Sequence, residues 1–136
     1  MITDEQVIEL YKAAGWTAQH FDTIGGEKLW YIANPKGVEA DSFSDHYMDS
    51  PEAAWQDANL PDPRHSLDAA FRLLDAIASH VNVAFFYGMD GLMCKIHTTT
   101  SAVLGVDPYR PDYTPSRALA MTAALLLMVS EKGAQS

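Results

Sequence analysis

The chain has 136 residues, 48% hydrophobic and 20% charged, a balance that excludes a disordered polar segment and supplies enough apolar surface for a buried core. A formal net charge of -9, with only nine Lys and Arg spread along the chain, argues against a nucleic-acid binder and disfavours anionic membrane surfaces, both of which call for clustered basic residues. Cys94 is the sole cysteine, so no internal disulfide is expected and a reducing cytoplasm is the natural setting; the opening MITDEQ lacks the apolar stretch of a secretory leader.

In chain order, the first expected element is a helix over Thr3–Ala14. Thr3 and Gln6 have capping-box spacing, Ile2 and Val7 occupy staple positions, and Val7, Leu10, Tyr11 and Ala14 share a face that Gly15 terminates. QHFDTIGGEKLWYIAN then reads as a hairpin turning at Gly25-Gly26, with Phe21 opposite Trp30. From Pro35 to His65 turn-forming Asp, Ser, Asn and Pro dominate, and one short helix is expected there, capped by Ser50 with Pro51 first and Ala54 and Trp55 inward.

Ser66 caps a helix expected to reach Val81, with Leu67, Ala70, Phe71, Leu74, Ile77, Ala78 and Val81 on one face. A second hairpin follows, turning at Asp90-Gly91, with Tyr87 facing Cys94, Phe85 facing Ile96 and Val83 facing Thr98. That alternation puts Val83, Phe85, Tyr87, Cys94 and Ile96 on a core face and Ala84, Phe86, Met93, Lys95 and His97 on a mixed one. GVDPYRPDYTP reads as a proline-stiffened linker to a last helix, Thr114–Lys132, stopped by Gly133. Its apolar run from Ala118 to Val129 falls well short of the ~20 residues a membrane span needs, so a buried core helix is expected.

These elements predict one α+β domain over 1–136. Its mostly antiparallel four-stranded sheet, made of two β-hairpins, is sandwiched by helices and carries an irregular acidic insertion at about 35–65.

The chemistry is sparse. No P-loop, G-x-G-x-x-G or G-x-S-x-G is present, and no cofactor or catalytic set is expected. Asp45, His46, Asp49 and His65 are residue types a divalent metal takes, but their spacing matches no known metal motif and suits turn formation instead. Cys94 and His97 lie three apart in a strand, on opposite faces, and so form no nucleophilic pair. Lys95, His97 and Phe86 share a face that would suit a small anion or a peptide; the plainer reading is Lys95 lying along Phe86. From Glu39 to Asp75 nine acids stand against two bases. Asp41, Asp45, Asp49, Glu52, Asp57 and Asp62 therefore form a candidate docking surface for a basic protein.

SLDAAFRLLDAI, a strand hairpin, and then YTPSRALAMTAALLL resemble the phage α-β-α (ABA) sandwich domain family of small bacteriophage and prophage proteins. Tyr113, Thr114, Pro115, Ala118, Ala123, Ala124 and Leu125 carry the closing motif, and Gly15-Trp16 and the WYIAN strand are similar too. The resemblance covers most of the chain and implies a phage or prophage accessory protein, without an assigned activity. The expected function is thus a non-enzymatic, cytoplasmic protein-binding module that engages a host or phage protein through the Glu39–Asp62 region. The alternative is a small-ligand or metal-dependent catalytic domain using the 41–65 loop and His97. A third reading is a homo-oligomer with Trp30, Tyr31 and Trp55 at the subunit contact.

Overall fold

Local hydrogen bonding starts the first helix, α1 (Asp4–Ala13), where the sequence pattern places it. Thr3 N donates to Gln6 Oε1 at 2.9 Å and Gln6 N donates to Thr3 Oγ1 at 3.2 Å, the reciprocal cap that satisfies two otherwise unpaired donors. The computed structural model describes residues 2–44, 46–78, 81–88, 91–97, 103–109 and 114–135, with backbone alone for 87–88, 91–93, 97, 103–109, 114–116 and 131–135. It is α+β, in two compact units: Met1–Ala13 with Asp62–Ser136, and Ala14–Pro61 between them in sequence. The strands do not form one four-stranded sheet. They divide into a two-stranded sheet and a three-stranded one.

Ala14–Pro61 contains β1 (Thr17–Asp22), β2 (Lys28–Ala33) and α2 (Pro51–Asp57). The hairpin is antiparallel, but Phe21 faces Leu29 and Trp30 faces His20, one residue from the expected register. The loop explains the slip. Gly26 N donates to Thr23 O, Thr23 N donates to Glu27 O, and Gly26 sits at φ 84, so three residues turn the chain where two were expected. A one-residue difference exchanges the faces of every side chain. The short helix is as expected: Ser50 Oγ accepts from Ala53 N at 3.1 Å, Pro51 is first, and Ala54 and Trp55 are buried where α2 packs on β2. Trp55, expected among the exposed aromatics, is thus turned inward.

The other unit is built around α4 (Thr114–Gln135), which packs on α1, on α3 (Leu67–Ile77) and on β4 and β5 of the three-stranded sheet. That sheet has the order β3 (Asn82–Gly88), β4 (Gly91–His97), β5 (Val103–Tyr109), all antiparallel. Val83 pairs with Ile96 and Phe85 with Cys94, two residues from the expected register; a shift of two leaves the faces unchanged, and Cys94 and Ile96 are fully buried. Thr98 and Asp90 lie outside the described residues.

β5 occupies part of the stretch read as a linker. Its register against β4 shifts between Leu92 and Cys94, leaving Asp107 and Pro108 opposite Met93, a bulge on an edge strand that accommodates a residue without an N–H. α3 ends at Ile77 rather than Val81, and it buries Ala69, Ala70, Leu73 and Leu74 while Phe71 is 38% exposed. The 3.6 spacing fits two overlapping stripes, and the one containing Leu73 faces α4, whose own buried alanines permit close approach. Helix α4 continues through Gly133, which is therefore not its stop. Among the described residues no helix is long and apolar enough to cross a membrane.

Thr122 carries a polar group into this core. Thr122, 0% exposed, places Oγ1 2.6 Å from the Pro63 carbonyl and 2.8 Å from that of Ala118, so its single proton ties α4 to the turn before α3. Thr122→Val keeps the shape and removes the donor, and should lower unfolding stability by about 1–3 kcal/mol in urea titration. A value within a few tenths of wild type would show that the bond is not needed. Burial also pushes the Cys94 thiol up to about 11. Cys94 should therefore resist a disulfide exchange reagent at pH 8 in the native protein and react within minutes once denatured.

Candidate functional site

The acidic stretch is ordered by returning repeatedly to β2. Asn34 makes the first return: its Oδ1 accepts from Lys36 N at 2.9 Å and Val38 N at 3.0 Å, while Gly37 sits at φ 84 and its N donates to Asn34 O. Glu39 then bridges Ala33, and Ala40 N donates to Ile32 O at 2.8 Å. Farther on, Trp30 N donates to Met48 O at 2.7 Å and Met48 N donates to Trp30 O at 3.0 Å. A third connection closes the stretch onto the end of α2: Ser42 bridges Ala58, Phe43 N donates to Asp57 O, and Asn59 N donates to Asp41 O.

These bridges border an open cavity of about 320 Å3 lying wholly within Ala14–Pro61. Ile32, Ala54 and Ala58 supply apolar lining, and Glu39, Asp41 and Asp57 supply three carboxylates. Tyr31 and Tyr47 add an aromatic pair, Trp30 and His46 complete the polar and aromatic edge, and no Lys or Arg is among the described lining residues. Strand alternation sets the ring positions. Met48 faces Trp30 across the bridge, so Tyr47 emerges on the side of Tyr31, and their centroids are 5.8 Å apart with planes at 71°. Phe21, on the same face of β1, meets Tyr47 edge-on at 4.8 Å. On the opposite face, His20 lies 4.5 Å from Trp30.

The carboxylates differ in their attachments. Asp57 Oδ2 accepts from Ser44 Oγ at 2.6 Å, a charge-assisted bond that fixes its direction. Glu39 Oε2 accepts from Tyr47 OH at 3.4 Å, and the negative charge of Glu39 pushes the Tyr47 phenol above its ordinary range. Asp41 is an exposed residue.

The sequence-derived candidates separate. Asp41 and Asp57 line the cavity, whereas Asp49 and Glu52 are exposed outside it, Glu52 in the first turn of α2. Asp45 lies outside the described residues. Asp62 belongs to the other unit and is engaged: Arg64 Nε donates to its Oδ1 at 2.9 Å and an Arg64 terminal nitrogen to its Oδ2 at 2.8 Å. The same guanidinium reaches the Ile2 carbonyl and Asp4 Oδ1, at 2.9 and 2.7 Å, so Arg64 joins the start of α1 to the turn before α3. His65 is exposed, with Nε2 3.9 Å from Asp62 Oδ2. Among the described residues no three His, Cys, Asp or Glu side chains gather where they could hold a metal ion. On the three-stranded sheet, Lys95 Nζ stands 5.3 Å from the Phe86 ring centroid, and Phe86 is 49% exposed. The His97 backbone pairs with Asn82, and its side chain lies outside the described set.

Sequence marks Glu39 only as the boundary of the acidic region, reads Trp30 and Tyr31 only as contact aromatics, and does not single out Tyr47. The available signal was Asn34-Pro35-Lys36-Gly37, a second turn immediately after β2, which returns the chain along that strand. Comparison of the chain with protein-family models, curated proteins and solved structures finds no match.

Burial is the largest influence on Asp62 and raises its pKa, but the hydrogen bonds and charge of Arg64, with a smaller part from His65, together hold it below the usual carboxylate range. A depressed folded value means that this contribution is present above the unfolded pKa of about 3.9 and is lost as pH falls through the folded value. Arg64→Met should cost about 1–3 kcal/mol at pH 7 and flatten the decline below pH 4, measured as urea midpoints across pH. An undiminished acid decline in the variant would remove the Asp62–Arg64 pair as its source.

Proposed function

We propose that this chain is a non-enzymatic protein-binding module, an accessory protein of a phage or prophage acting in the cytoplasm, which docks a basic segment of a host or phage protein at the cavity beside β2. The observation that carries the reading is the set of lining residues: the acids Glu39, Asp41 and Asp57 with the aromatic pair Tyr31 and Tyr47, and no Lys or Arg among the described lining residues. Such a site attracts cations by charge and holds them against ring faces. The phage assignment is supported by the resemblance of the alanine-rich closing helix and the Gly15-Trp16 and WYIAN segments to the α-β-α sandwich family. The non-enzymatic assignment is supported by the thiol. Cys94, the sole cysteine, is buried and its thiol is pushed up to about 11, which disfavours a nucleophilic role.

Fluorescence anisotropy with labelled basic and acidic peptides of equal length tests the reading. The basic peptide should bind and weaken several-fold between 50 and 200 mM salt, with the acidic peptide inert. Glu39→Gln and Asp41→Asn should each weaken binding by about 3- to 10-fold, a charge-assisted contact of ~0.7–1.4 kcal/mol. Binding that survives loss of both carboxylates would place the docking surface elsewhere.

A further inference from the structure

We infer that the cavity beside β2 selects an arginine side chain over lysine in the docked segment, an inference that rests on the proposed protein-binding reading. Tyr31 and Tyr47, both lining residues, meet at 71° with centroids 5.8 Å apart, and Phe21, outside the lining, continues their surface with its ring 4.8 Å from that of Tyr47. Tyr47 and Phe21 are 43% and 40% exposed, so this aromatic wall presents ring surface to solvent. A carboxylate is attached directly to it, because Glu39 Oε2 accepts from the Tyr47 hydroxyl. Asp57 stands in the same lining with Oδ2 directed by Ser44.

A planar cation uses this arrangement more fully than a spherical one. A guanidinium stacks flat on a ring while its edge N–H groups donate in the ring plane toward carboxylates, and it sheds water at lower cost than an ammonium. An ammonium retains its hydration and gains mainly the point-charge attraction, which any of the acids supplies equally. The carboxylates therefore select positive charge, and the rings discriminate between the two cationic side chains.

The test uses the full chain and two fluorescein-labelled peptides that differ only in carrying three Arg or three Lys in an otherwise Gly/Ser/Leu sequence. The Arg peptide should bind about 5- to 10-fold more tightly at the same salt. Tyr47→Leu should reduce that ratio to below 2-fold while leaving salt-dependent binding of both peptides. Glu39→Gln should weaken both peptides and largely keep the preference, and Glu9→Gln, an exposed acid on α1, should change neither. Circular dichroism confirms that each variant is folded. Equal affinity for the two peptides, or an Arg preference undiminished in folded Tyr47→Leu, overturns the inference while the protein-binding reading stands. Failure of both peptides to bind the wild-type chain overturns both.

Discussion

The pair of hydrogen bonds between Trp30 and Met48 is the constraint on which the cavity depends. Met48 follows a stretch rich in Asp, Ser and His that has little apolar surface with which to hold itself in place. By exchanging both backbone bonds with Trp30, at 2.7 and 3.0 Å, it fixes the chain to β2. Alternation then leaves Tyr47 no choice of side, and the Phe21, Tyr31 and Tyr47 rings meet. Opposite that bridge, the Asn34 turn sets Glu39 beside Ala33, so two returns to one strand bring an acid and an aromatic ring from eight positions apart into one lining. Backbone pairing, rather than hydrophobic burial, organises this surface. Its side chains can consequently remain exposed and available to a ligand without loss of order.

The unit formed by Met1–Ala13 and Asp62–Ser136 solves a different problem. Here α4 is apolar over much of its circumference and must be covered by α1, α3 and the sheet, which come from separated parts of the chain. Hydrophobic contact is non-directional and does not by itself fix how the turn at 62–66 meets the helices. Two polar devices do. Thr122 reaches from the buried side to the Pro63 carbonyl, and Arg64 reaches from the outer side to Asp62, Asp4 and the Ile2 carbonyl. Proline and arginine are neighbours in sequence, so one short turn is held from both sides.

What could be read from sequence follows the range of the interactions. Helix starts were legible because Thr3 with Gln6, Ser50 with Ala53 and Ser66 with Ala69 complete their caps within one turn. The faces of the second hairpin were legible as well, since a register error of two preserves them, and Cys94 and Ile96 are core as expected. The first hairpin was misjudged by one residue because Gly25-Gly26 admits both a two- and a three-residue loop. β5 was hidden by Pro108, which ordinarily argues against a strand and here coincides with a bulge. The cavity was the least legible feature. Its bridges join Trp30 to Met48 and Ser42 to Ala58, and no periodicity marks pairings of that separation in a polar stretch. Asp62, grouped by sequence with the docking acids, is instead an ion-pair partner, a distinction that depends on Arg64 and the distant Asp4.

The charge of the chain and the shape of the cavity act over different distances. At physiological salt the field of an exposed carboxylate decays over ~8 Å, so acids outside the lining, such as Asp49 and Glu52, influence the approach of a cationic segment more than its final fit. In the proposed docking Glu39 and Asp57 would act at contact, where Ser44 already directs Asp57 and less ordering would remain to be done on binding. The rings are insensitive to salt and respond to the geometry of what enters. Neutralising an outer acid should therefore slow association without altering which cation is preferred, and altering a ring should do the reverse. A net charge of -9 favours encounters with basic surfaces in general; in the proposed docking it is the aromatic wall over Tyr31 and Tyr47 that would discriminate among basic side chains.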